Sequence, residues 1–426
     1  MREHRKNWLK KKILDSSNHQ EEAFKHINQL VVRKREGRKI TLTDGKKLVD
    51  FLSCSYFDLD LDQRIIEAST RTIYTCGVNF AVSRTRIRTE SFLVLEELLN
   101  ALFCNSYTTT FTSIHLAHLG IFPLLSSGEM PSFPLANQGC LFIVDKTAHA
   151  SIQVNRGLLS QFGQVLTADF KLLNDLEFHF KEAHTNKQTP IAIADGVGSM
   201  GDAVCVSALR ELSEKYNGYI YLDDAHGTSI FGEHGCGYVL EKLNNNFHPR
   251  LILVASLSKG FGANGGVIAV PTKKDEEIIK RFSTTYVFGN PPPLSIIDAS
   301  IESARIHLSD EIYLLQNTLR EKIKFFDFQM RELIPDNVLV NYGTQLPIRG
   351  IFIGDEFKAI ACMQELMSRG YLAMAAMYPT VAKNKSMIRV SLSANHQEKD
   401  ITNFCNDLKE ILNTSTLQEN TLKTVV

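Results

Sequence analysis

The sequence predicts an α/β fold with a mostly parallel central sheet and a smaller α/β domain at the C-terminal end. Two observations support this prediction. Between about residues 60 and 290, short apolar runs alternate with helical periods, which is typical of parallel strands covered on both faces. Each run also ends in a polar residue, and ligands of open α/β sheets bind beyond the carboxyl ends of the strands. We therefore expect one shared site at Asp145, Asp195, Asp223 and Ser256.

The chain of 426 residues is long enough for two or three domains. Residues 1–60 are predicted to form an N-terminal arm, in which a charged helix precedes a hairpin that turns at Asp44 and Gly45. Residues 61–293 are predicted to form the large domain, with helices over 172–183 and 207–216 between its strands. Residues 294–426 follow three prolines, which stop the preceding element, and are predicted to form the small domain.

The predicted small domain begins with a long helical stretch over residues 294–333. Strands are expected over 348–353 and 387–392, with a helix over 357–369 between them. The Thr-rich tail from residue 413 is expected to fray, because chain ends that nothing ties down are usually poorly ordered.

Composition and charge favour a cytoplasmic protein that binds small molecules. Basic and acidic residues each number 47, so no net field would attract nucleic acid. No apolar run approaches the roughly 18–20 residues that span a bilayer, and the N-terminus lacks a signal-peptide core. The eight cysteines form no CxxC pair, which favours reduced thiols over a zinc or redox centre. The basic segment 1–12 is expected to be a solvated arm, or alternatively to contact anionic phosphates or a membrane surface.

A lysine lies just past a buried strand, in the Ser/Gly-rich loop over residues 256–266. A partly desolvated lysine loses its charge more easily, and its amine then forms an imine with an aldehyde. The hydroxyls of Ser256 and Ser258 lie near Lys259 in the sequence and would hold a phosphate. The alternative is an ordinary surface loop with a solvated Lys259.

The run over residues 219–223 ends in a carboxylate that is predicted to be buried. Burying such a charge is costly unless it meets a cation or hydrogen-bond donors, and a pyridinium nitrogen is a suitable partner for Asp223. His226, three residues on, would hydrogen-bond a hydroxyl of the same ring. Two alternatives remain, a metal site formed by Asp223, Asp224 and His226, and a purely structural Asp223.

Two further patterns favour the same site. His149 follows a strand end and would lie flat on an aromatic cofactor, although a lone histidine is more often structural. The Thr/Ser cluster over residues 110–113 opens a helix, whose first backbone N–H groups would bind an anion. His115 and His118 lie three apart on that helix, but no third ligand makes a metal site, and no bound metal is predicted.

Arg389 lies in a predicted strand whose other residues are apolar or small. An inward-facing arginine there needs a carboxylate partner, and a substrate carboxylate would bind its guanidinium in a bidentate manner. The alternative is an arginine on an edge strand, pointing into solvent.

Taken in order, these motifs resemble the α-oxoamine synthases, a family of fold-type-I enzymes that use pyridoxal 5'-phosphate. The family includes 8-amino-7-oxononanoate synthase, glycine C-acetyltransferase, aminolevulinate synthase and serine palmitoyltransferase. The resemblance extends from about residue 45 to 410. It is densest over residues 194–202, 222–228 and 256–266.

The resemblance implies a role for each matching residue. Lys259 would bind the cofactor as an imine and act as general base, Asp223 would keep the pyridine nitrogen protonated, and His149 would stack on the ring. Arg389 would receive the substrate carboxylate, and Thr380 would lie on the substrate side. The remaining implied contacts, to ring oxygen and phosphate, are His226, Ser199, Ser256 and the backbone of Ile114 and His115.

The resemblance also implies a homodimer with its active site at the interface, and a reaction that joins an acyl-CoA to a small amino acid or similar amino substrate. Four departures from the family pattern resemble the CAI-1-type autoinducer synthases, which make aminoketone or hydroxyketone signals for quorum sensing from medium-chain acyl-CoA. Met377 replaces an Arg that is common in the biotin-pathway enzymes. The others are Ser-Ile-His at 113–115, Phe-Gly-Asn at 288–290 and the segment 80–88.

These departures predict a medium- or long-chain acyl donor and an autoinducer precursor as product. The alternatives are 8-amino-7-oxononanoate synthase or glycine C-acetyltransferase activity. A pyridoxal-phosphate aminotransferase or decarboxylase would share Lys259 and Asp223 without CoA chemistry. A non-catalytic partner subunit would lack the lysine, which is present here.

Overall fold

The structure is a computed structural model that describes residues 2–26, 30–331 and 338–413. Within these ranges the strands, β1 to β15 in chain order, are Val32–Glu36, Lys39–Leu42, Lys47–Asp50, Tyr107–Phe111, Cys140–Asp145, Gln164–Ala168, Thr189–Asp195, Tyr219–Asp223, Leu251–Ser256, Gly266–Val270, Leu339–Val340, Ile348–Gly354, Tyr371–Leu372, Met374–Ala376 and Ser386–Ser391. The helices, α1 to α15, are Arg2–His26, Gln63–Cys76, Glu90–Leu102, Ile114–Ser127, Ala150–Gln153, Arg156–Phe162, Leu173–Thr185, Val206–Lys215, Tyr238–Lys242, Lys273–Phe282, Thr284–Phe288, Leu294–His307, Glu311–Arg331, Glu356–Ser368 and Glu398–Asn413.

The chain forms two compact units, a larger one over Phe57–Gln316 and a smaller one built from the segments before and after it. The larger unit thus extends past residue 293 and includes α12, which the sequence had placed in the small domain. The reason is packing: α12 lies against α2 and α3. It buries Leu294, Ile297, Ile301 and Ala304 in the same apolar layer as residues of α3.

The larger unit is built on a seven-stranded sheet in the order β4-β10-β9-β8-β7-β5-β6. Strand β10 runs antiparallel to both β4 and β9, and the other neighbours are parallel. Successive residues of β5 alternate between two apolar layers, with Leu141 and Ile143 in one and Phe142 and Val144 in the other. The sheet is therefore covered on both faces, and the predicted α/β fold with a mostly parallel sheet is confirmed.

The smaller unit contains two four-stranded sheets, β1-β2-β3-β13 and β11-β12-β15-β14. The predicted hairpin appears as β2 and β3, and the predicted strands near 348 and 387 appear as β12 and β15. Arg349 on β12 is fully buried and forms a two-pronged ion pair with Asp327 on α13, at 2.6 and 2.7 Å. A buried pair of this geometry fixes the helix against the sheet, because separating its partners would strand a charge.

Two predictions for the C-terminal region have different outcomes. The helical stretch over 294–333 is two helices, α12 and α13, because the backbone leaves the helical path between His307 and Glu311. The predicted fraying of the tail concerns residues that, from 414 on, lie outside the described ranges. Among the described helices, none is both long and apolar enough to cross a bilayer.

The strand register aligns the polar strand ends at one edge of the large sheet. Asp195, the last residue of β7, lies beside Asp223, the last residue of β8. Asp223 in turn lies beside Val254 of β9, two residues before Ser256. Because the three strands are parallel, their carboxyl ends meet at the same edge, as the sequence predicted.

Candidate active site

A cavity of about 260 Å³ opens at this edge of the larger unit. It brings together most of the residues that the sequence singled out, from five separate segments of the chain. Its lining residues are Ser113, Ile114, His115, His149, Ser151, Asp195, Val197, Ser199, Asp223, Ala225, His226, Ser256, Ser258, Lys259 and Gly265.

Asp145 is the one polar strand end that does not line the cavity, and the expectation that it would do so is wrong. Its carboxylate accepts hydrogen bonds from the backbone N–H of Phe170 and from the hydroxyl of Thr147. These bonds turn the group toward the loop after β6 and use its acceptors for local structure.

The loop that follows β9 holds the backbone of Lys259 in a tight turn. The carbonyl of Lys259 accepts from the N–H of Gly262 at 3.0 Å. Leu257 and Phe261, on either side of the lysine, are both buried in the apolar layer beneath the loop. The side chain of Lys259 is half-buried at the cavity wall, so the alternative of a fully solvated surface lysine is wrong.

The hydroxyl of Ser258 mainly makes hydrogen bonds within the same loop. Its hydroxyl donates to Asn264 Oδ1 at 2.8 Å and accepts from the N–H of Gly265 at 3.1 Å. The group lines the cavity, but the loop already engages its donor and one acceptor. Ser256 is the better placed of the two predicted phosphate ligands, because it lies deeper, buried at the strand end.

The start of α4 faces the cavity through Ile114 and His115. Ser113 caps the helix and accepts from the N–H of Leu116 at 3.3 Å. The first N–H groups of a helix have no partner inside the helix, and the helix dipole favours an anion there. Gly266 allows the close approach of β10, since a Cβ at that position would lie 2.6 Å from the nitrogen of Ile114.

Asp223 is only 4% exposed, and fixed donors hold its carboxylate. Oδ1 accepts from the N–H of Ala225 at 3.0 Å, and Oδ2 lies 3.2 Å from His118 Nε2. Burial alone would raise the pKa of Asp223, but the His118 hydrogen bond, the charge of Lys259 and the Ala225 amide together hold it below its usual value. Asp223 is thus an ionised carboxylate facing the cavity.

The pKa of Asp195 is shifted in the opposite direction to that of Asp223. Burial, and next the neighbouring charge of Asp223, raise the pKa of Asp195 well above its usual value. Oδ2 accepts from the N–H of His149 at 2.9 Å, which fixes the backbone of that histidine at the cavity. Oδ1 has no hydrogen-bond partner among the described residues. Of the two carboxyls at this edge, Asp223 is therefore the one whose surroundings favour the negative charge.

Asp224, next to Asp223 in the sequence, is a structural residue. It is fully buried, and Oδ2 accepts from the N–H of Val239 at 3.0 Å. A Cβ at Gly227 or Gly237 would lie 2.1 or 2.3 Å from its carboxylate oxygens, so the chain folds tightly around the group. Burial raises the pKa of Asp224 well above its usual value. Within the described ranges, no group of three or more His, Cys, Asp and Glu residues is arranged to hold a metal ion.

His118 and Tyr221 had no predicted role. His118 contacts Asp223, and Tyr221 contacts His118. His118 lies on α4, four residues after Ile114, on the same helical face. Tyr221 lies on β8, two residues before Asp223 and on the same face of the sheet. These two spacings were the available signal, but which helix face meets which sheet face is a tertiary property.

Arg389 and Thr380 belong to the smaller unit. Arg389 is 5% exposed on β15, an inner strand between β12 and β14, so the alternative of a solvent-facing edge arginine is wrong. Its guanidinium contacts Ser391 Oγ at 2.9 Å and Cys54 Sγ at 3.4 Å. Thr380 is exposed, and its N–H donates to the carbonyl of Met377. Their part in substrate binding stays a prediction.

Comparisons with known proteins agree with this geometry. The family model for class I and II aminotransferases matches residues 129–408. The 8-amino-7-oxononanoate synthase of Coprothermobacter proteolyticus is 31% identical over 84% of this chain and 87% of its own length. That of Thermoanaerobacter pseudethanolicus is 29% identical over 85% of this chain and 87% of its own.

The chain belongs to the class I and II aminotransferases, as an α-oxoamine synthase. It is therefore a pyridoxal-phosphate-dependent acyltransferase. The fold also resembles solved structures. Serine palmitoyltransferase of Sphingomonas wittichii superposes with a TM-score of 0.82 at 21% identity, over 94% of this chain and 96% of that one. The 8-amino-7-oxononanoate synthase of Francisella tularensis gives 0.67 at 19% identity, over 85% and 97%.

The donor set of the cavity fits pyridoxal 5'-phosphate. The start of α4, with the close approach allowed by Gly266, suits a phosphate. The ionised carboxylate of Asp223 suits a protonated ring nitrogen, and Lys259 supplies an amine for the aldehyde. His226 and Ser199, predicted to bind ring oxygen, line the same cavity.

Borohydride reduction of the loaded enzyme should attach the cofactor to Lys259, since Lys259 is the only lysine among the described lining residues. Peptide mass spectrometry after digestion locates the label. Lys259→Ala should lose the visible absorption band that the imine of the cofactor produces. Lys215→Ala is the matched control, because Lys215 is exposed and paired with Glu177, and should keep the band. Label on another lysine would contradict the assignment.

Proposed function

We propose that this enzyme joins a medium- or long-chain acyl-CoA to a small amino acid or similar amino substrate, giving an α-aminoketone or hydroxyketone. The observation that supports the condensation most strongly is the pairing of Lys259 with the ionised Asp223 in one cavity of an α-oxoamine synthase. The acyl length is supported by the sequence, in which the buried, apolar Met377 replaces the arginine common in biotin-pathway enzymes.

We further propose how the residues divide the work. When bound, pyridoxal phosphate supplies an aldehyde for the substrate amine and a ring that accepts the electron pair of the Cα–H bond. Asp223 would hold the proton on the ring nitrogen, and His149 would cover the ring face. Lys259 Nζ, released by the substrate amine, would take the Cα proton as general base. The phosphate and the ring oxygen would be held by Ser256, the Ile114 and His115 amides, His226 and Ser199.

The bond changes then balance without a further reactant. The Cα electron pair attacks the acyl carbon, a C–C bond forms, the C–S bond breaks, and CoA leaves as its thiolate. Loss of CO₂ from the substrate carboxylate and return of a proton to Cα complete the ketone. Arg389 is proposed to hold that carboxylate until it leaves, and Thr380 to lie on the substrate side.

The second candidate is 8-amino-7-oxononanoate synthase activity, with pimeloyl as the acyl group. It is favoured by the names of the matched sequence relatives, which include the enzymes of Coprothermobacter and Thermoanaerobacter. The proposal that the product is a quorum-sensing autoinducer precursor is supported by the departures at 80–88, 113–115, 288–290 and Met377.

The acyl preference separates these candidates. Each CH₂ buried in an apolar tunnel contributes about 0.8 kcal/mol, so four added carbons should raise kcat/KM by roughly two orders of magnitude. The measurement is kcat/KM over a series of acyl-CoAs with one amino acid held fixed. A rise to a plateau at about eight to fourteen carbons supports the proposal. A maximum at pimeloyl or acetyl would instead favour the biotin enzymes or glycine C-acetyltransferase.

Asp223→Asn should bind pyridoxal phosphate yet lose at least about 10²-fold in kcat, because a neutral amide no longer favours the protonated ring nitrogen. Steady-state kinetics and a cofactor titration measure the two effects separately. Asp175→Asn is the control, since that carboxylate is exposed on α7 and lies 3.7 Å from His179 of the same helix. Turnover close to wild type in Asp223→Asn would make Asp223 a structural residue.

We also propose that the working unit is a homodimer with the active site at its interface. The proposal is supported by large apolar side chains that the larger unit exposes over one short segment. They are Ile66, Ile73, Tyr74, Val78, Phe80 and Ile87.

The dimer is tested with two charge substitutions and light scattering after size exclusion. Val78→Glu, at a side chain 77% exposed within that segment, should weaken the dimer and reduce activity in parallel. Leu172→Glu, at a side chain 58% exposed elsewhere, should change neither. A wild-type monomer with full activity would overturn the proposal.

A further inference from the structure

His118 lies beneath the cavity, fully buried, with both ring nitrogens engaged. Nε2 lies 3.2 Å from Asp223 Oδ2, and Nδ1 lies 2.6 Å from the hydroxyl oxygen of Tyr221. Tyr221 and Asp223 project from the same face of β8, and α4 packs His118 against both. The three side chains therefore form one continuous chain of hydrogen bonds that ends at the carboxylate.

The chemistry of the partners sets the direction of these bonds. An ionised carboxylate only accepts hydrogen bonds, so the His118 nitrogen that faces Asp223 carries the hydrogen. In a neutral imidazole the other nitrogen then accepts, and Tyr221 is its donor. The order is Tyr221 O–H to Nδ1, and Nε2–H to Asp223 Oδ2. Burial, and next the charge of Asp223, raise the pKa of Tyr221 well above its usual value, so the hydroxyl keeps its proton.

Packing fixes the imidazole in this orientation. The His118 ring stacks on Phe122 with an interplanar angle of 6° and a centroid distance of 5.8 Å. Phe122 in turn contacts Tyr221, with centroids 4.9 Å apart. A phenyl ring would fill the same space, but it would leave the Tyr221 hydroxyl and one carboxylate oxygen without their buried partner.

From this geometry we infer that His118 is a positioning residue for the acyltransferase reaction. With Tyr221 behind it, His118 holds the Asp223 carboxylate ionised and aimed at the cavity, so that Asp223 can keep the proton on the ring nitrogen of the bound cofactor. The inference rests on the proposed role of Asp223 and adds that His118 and Tyr221 keep Asp223 in the state which that role requires. His118 itself is fully buried and is not among the residues that line the cavity.

Other titratable groups lie near His118, Tyr221 and Asp223 and interact electrostatically with them. Asp195 neighbours Asp223 on the adjacent strand. Lys259, which belongs to the loop after β9, lies at the cavity wall and its charge acts on Asp223. His149 and His115 act on the same region from the β5 end and from α4. A pH profile of activity would mix all of these groups, so the test reads the ring nitrogen itself.

The test uses the loaded enzyme with pyridoxal phosphate that carries ¹⁵N in its ring, because the ¹⁵N chemical shift reports directly whether that nitrogen is protonated. His118→Phe keeps the ring shape and removes the donor, whereas His118→Gln keeps an N–H at a similar reach. We expect the ¹⁵N titration of His118→Phe to show a less protonated ring nitrogen than in wild type near neutral pH, because an Asp223 carboxylate without its donor is more basic and competes for the shared proton. We expect His118→Gln to restore most of the difference.

Two further measurements keep the inference testable if His118→Phe folds poorly. Tyr221→Phe should shift the same titration in the same direction by less, because Nε2–H remains. In the cofactor-free wild type, long-range ¹H–¹⁵N spectra should show His118 protonated at Nε2 and bare at Nδ1. A neutral His118 with its hydrogen on Nδ1 and a bare Nε2 would overturn the inference.

An unchanged ring-nitrogen titration in a folded His118→Phe variant would also overturn it, since His118 would then only fill space. Failure of the underlying proposal looks different. If Asp223→Asn leaves the ring nitrogen as fully protonated as in wild type, the role of Asp223 itself is wrong. The ¹⁵N shift of Asp223→Asn therefore tests the role of Asp223, and the ¹⁵N shift of His118→Phe tests the role of His118.

Discussion

A carboxylate that stays ionised inside the protein is the constraint on which the site depends. An ion removed from water costs several kcal/mol unless donors or an opposite charge compensate it. Asp223 meets this cost with the Ala225 amide and His118, and with Lys259 across the cavity. Asp195, aligned beside it by the strand register, has a raised pKa, which disfavours a second negative charge next to the first. The strand register of the sheet brings these groups together at one edge.

Much of the fold could be predicted because its inner strands are continuously apolar. β5, β8 and β9 end at the predicted residues Asp145, Asp223 and Ser256, since short, continuously apolar runs favour strands covered on both faces. β6 was missed because it is an edge strand with a half-exposed, partly polar pattern. β4 was missed because its threonines resemble a helix start, and only pairing with β10 makes them a strand. The place of α12 depends on packing that no local pattern records.

The site could be predicted as far as motifs mark it. Lys259, His226 and Ser256 lie in one cavity with Asp223, as expected. The apolar run that ends at Asp223 marked that carboxylate, but the structural role of Asp224 was not predictable, since only the fold shows that Val239 and two glycines enclose it. Local sequence could not exclude Asp145 or find His118, because both depend on which side chains meet across separate elements. Long-range contact, and not residue chemistry, separates what the sequence predicts from what it misses.

The central claim is that Lys259 and Asp223 serve a carbon–carbon bond-forming reaction with an acyl thioester. The most direct measurement is mass spectrometry of the products that purified enzyme forms from pyridoxal phosphate, mixed acyl-CoAs and mixed amino acids. The account predicts a ketone that contains the acyl chain and the amino-acid Cα, formed with equal amounts of free CoA and CO₂. A keto acid from amino-group transfer, or an amine from decarboxylation alone, with every acyl-CoA left intact, would contradict it.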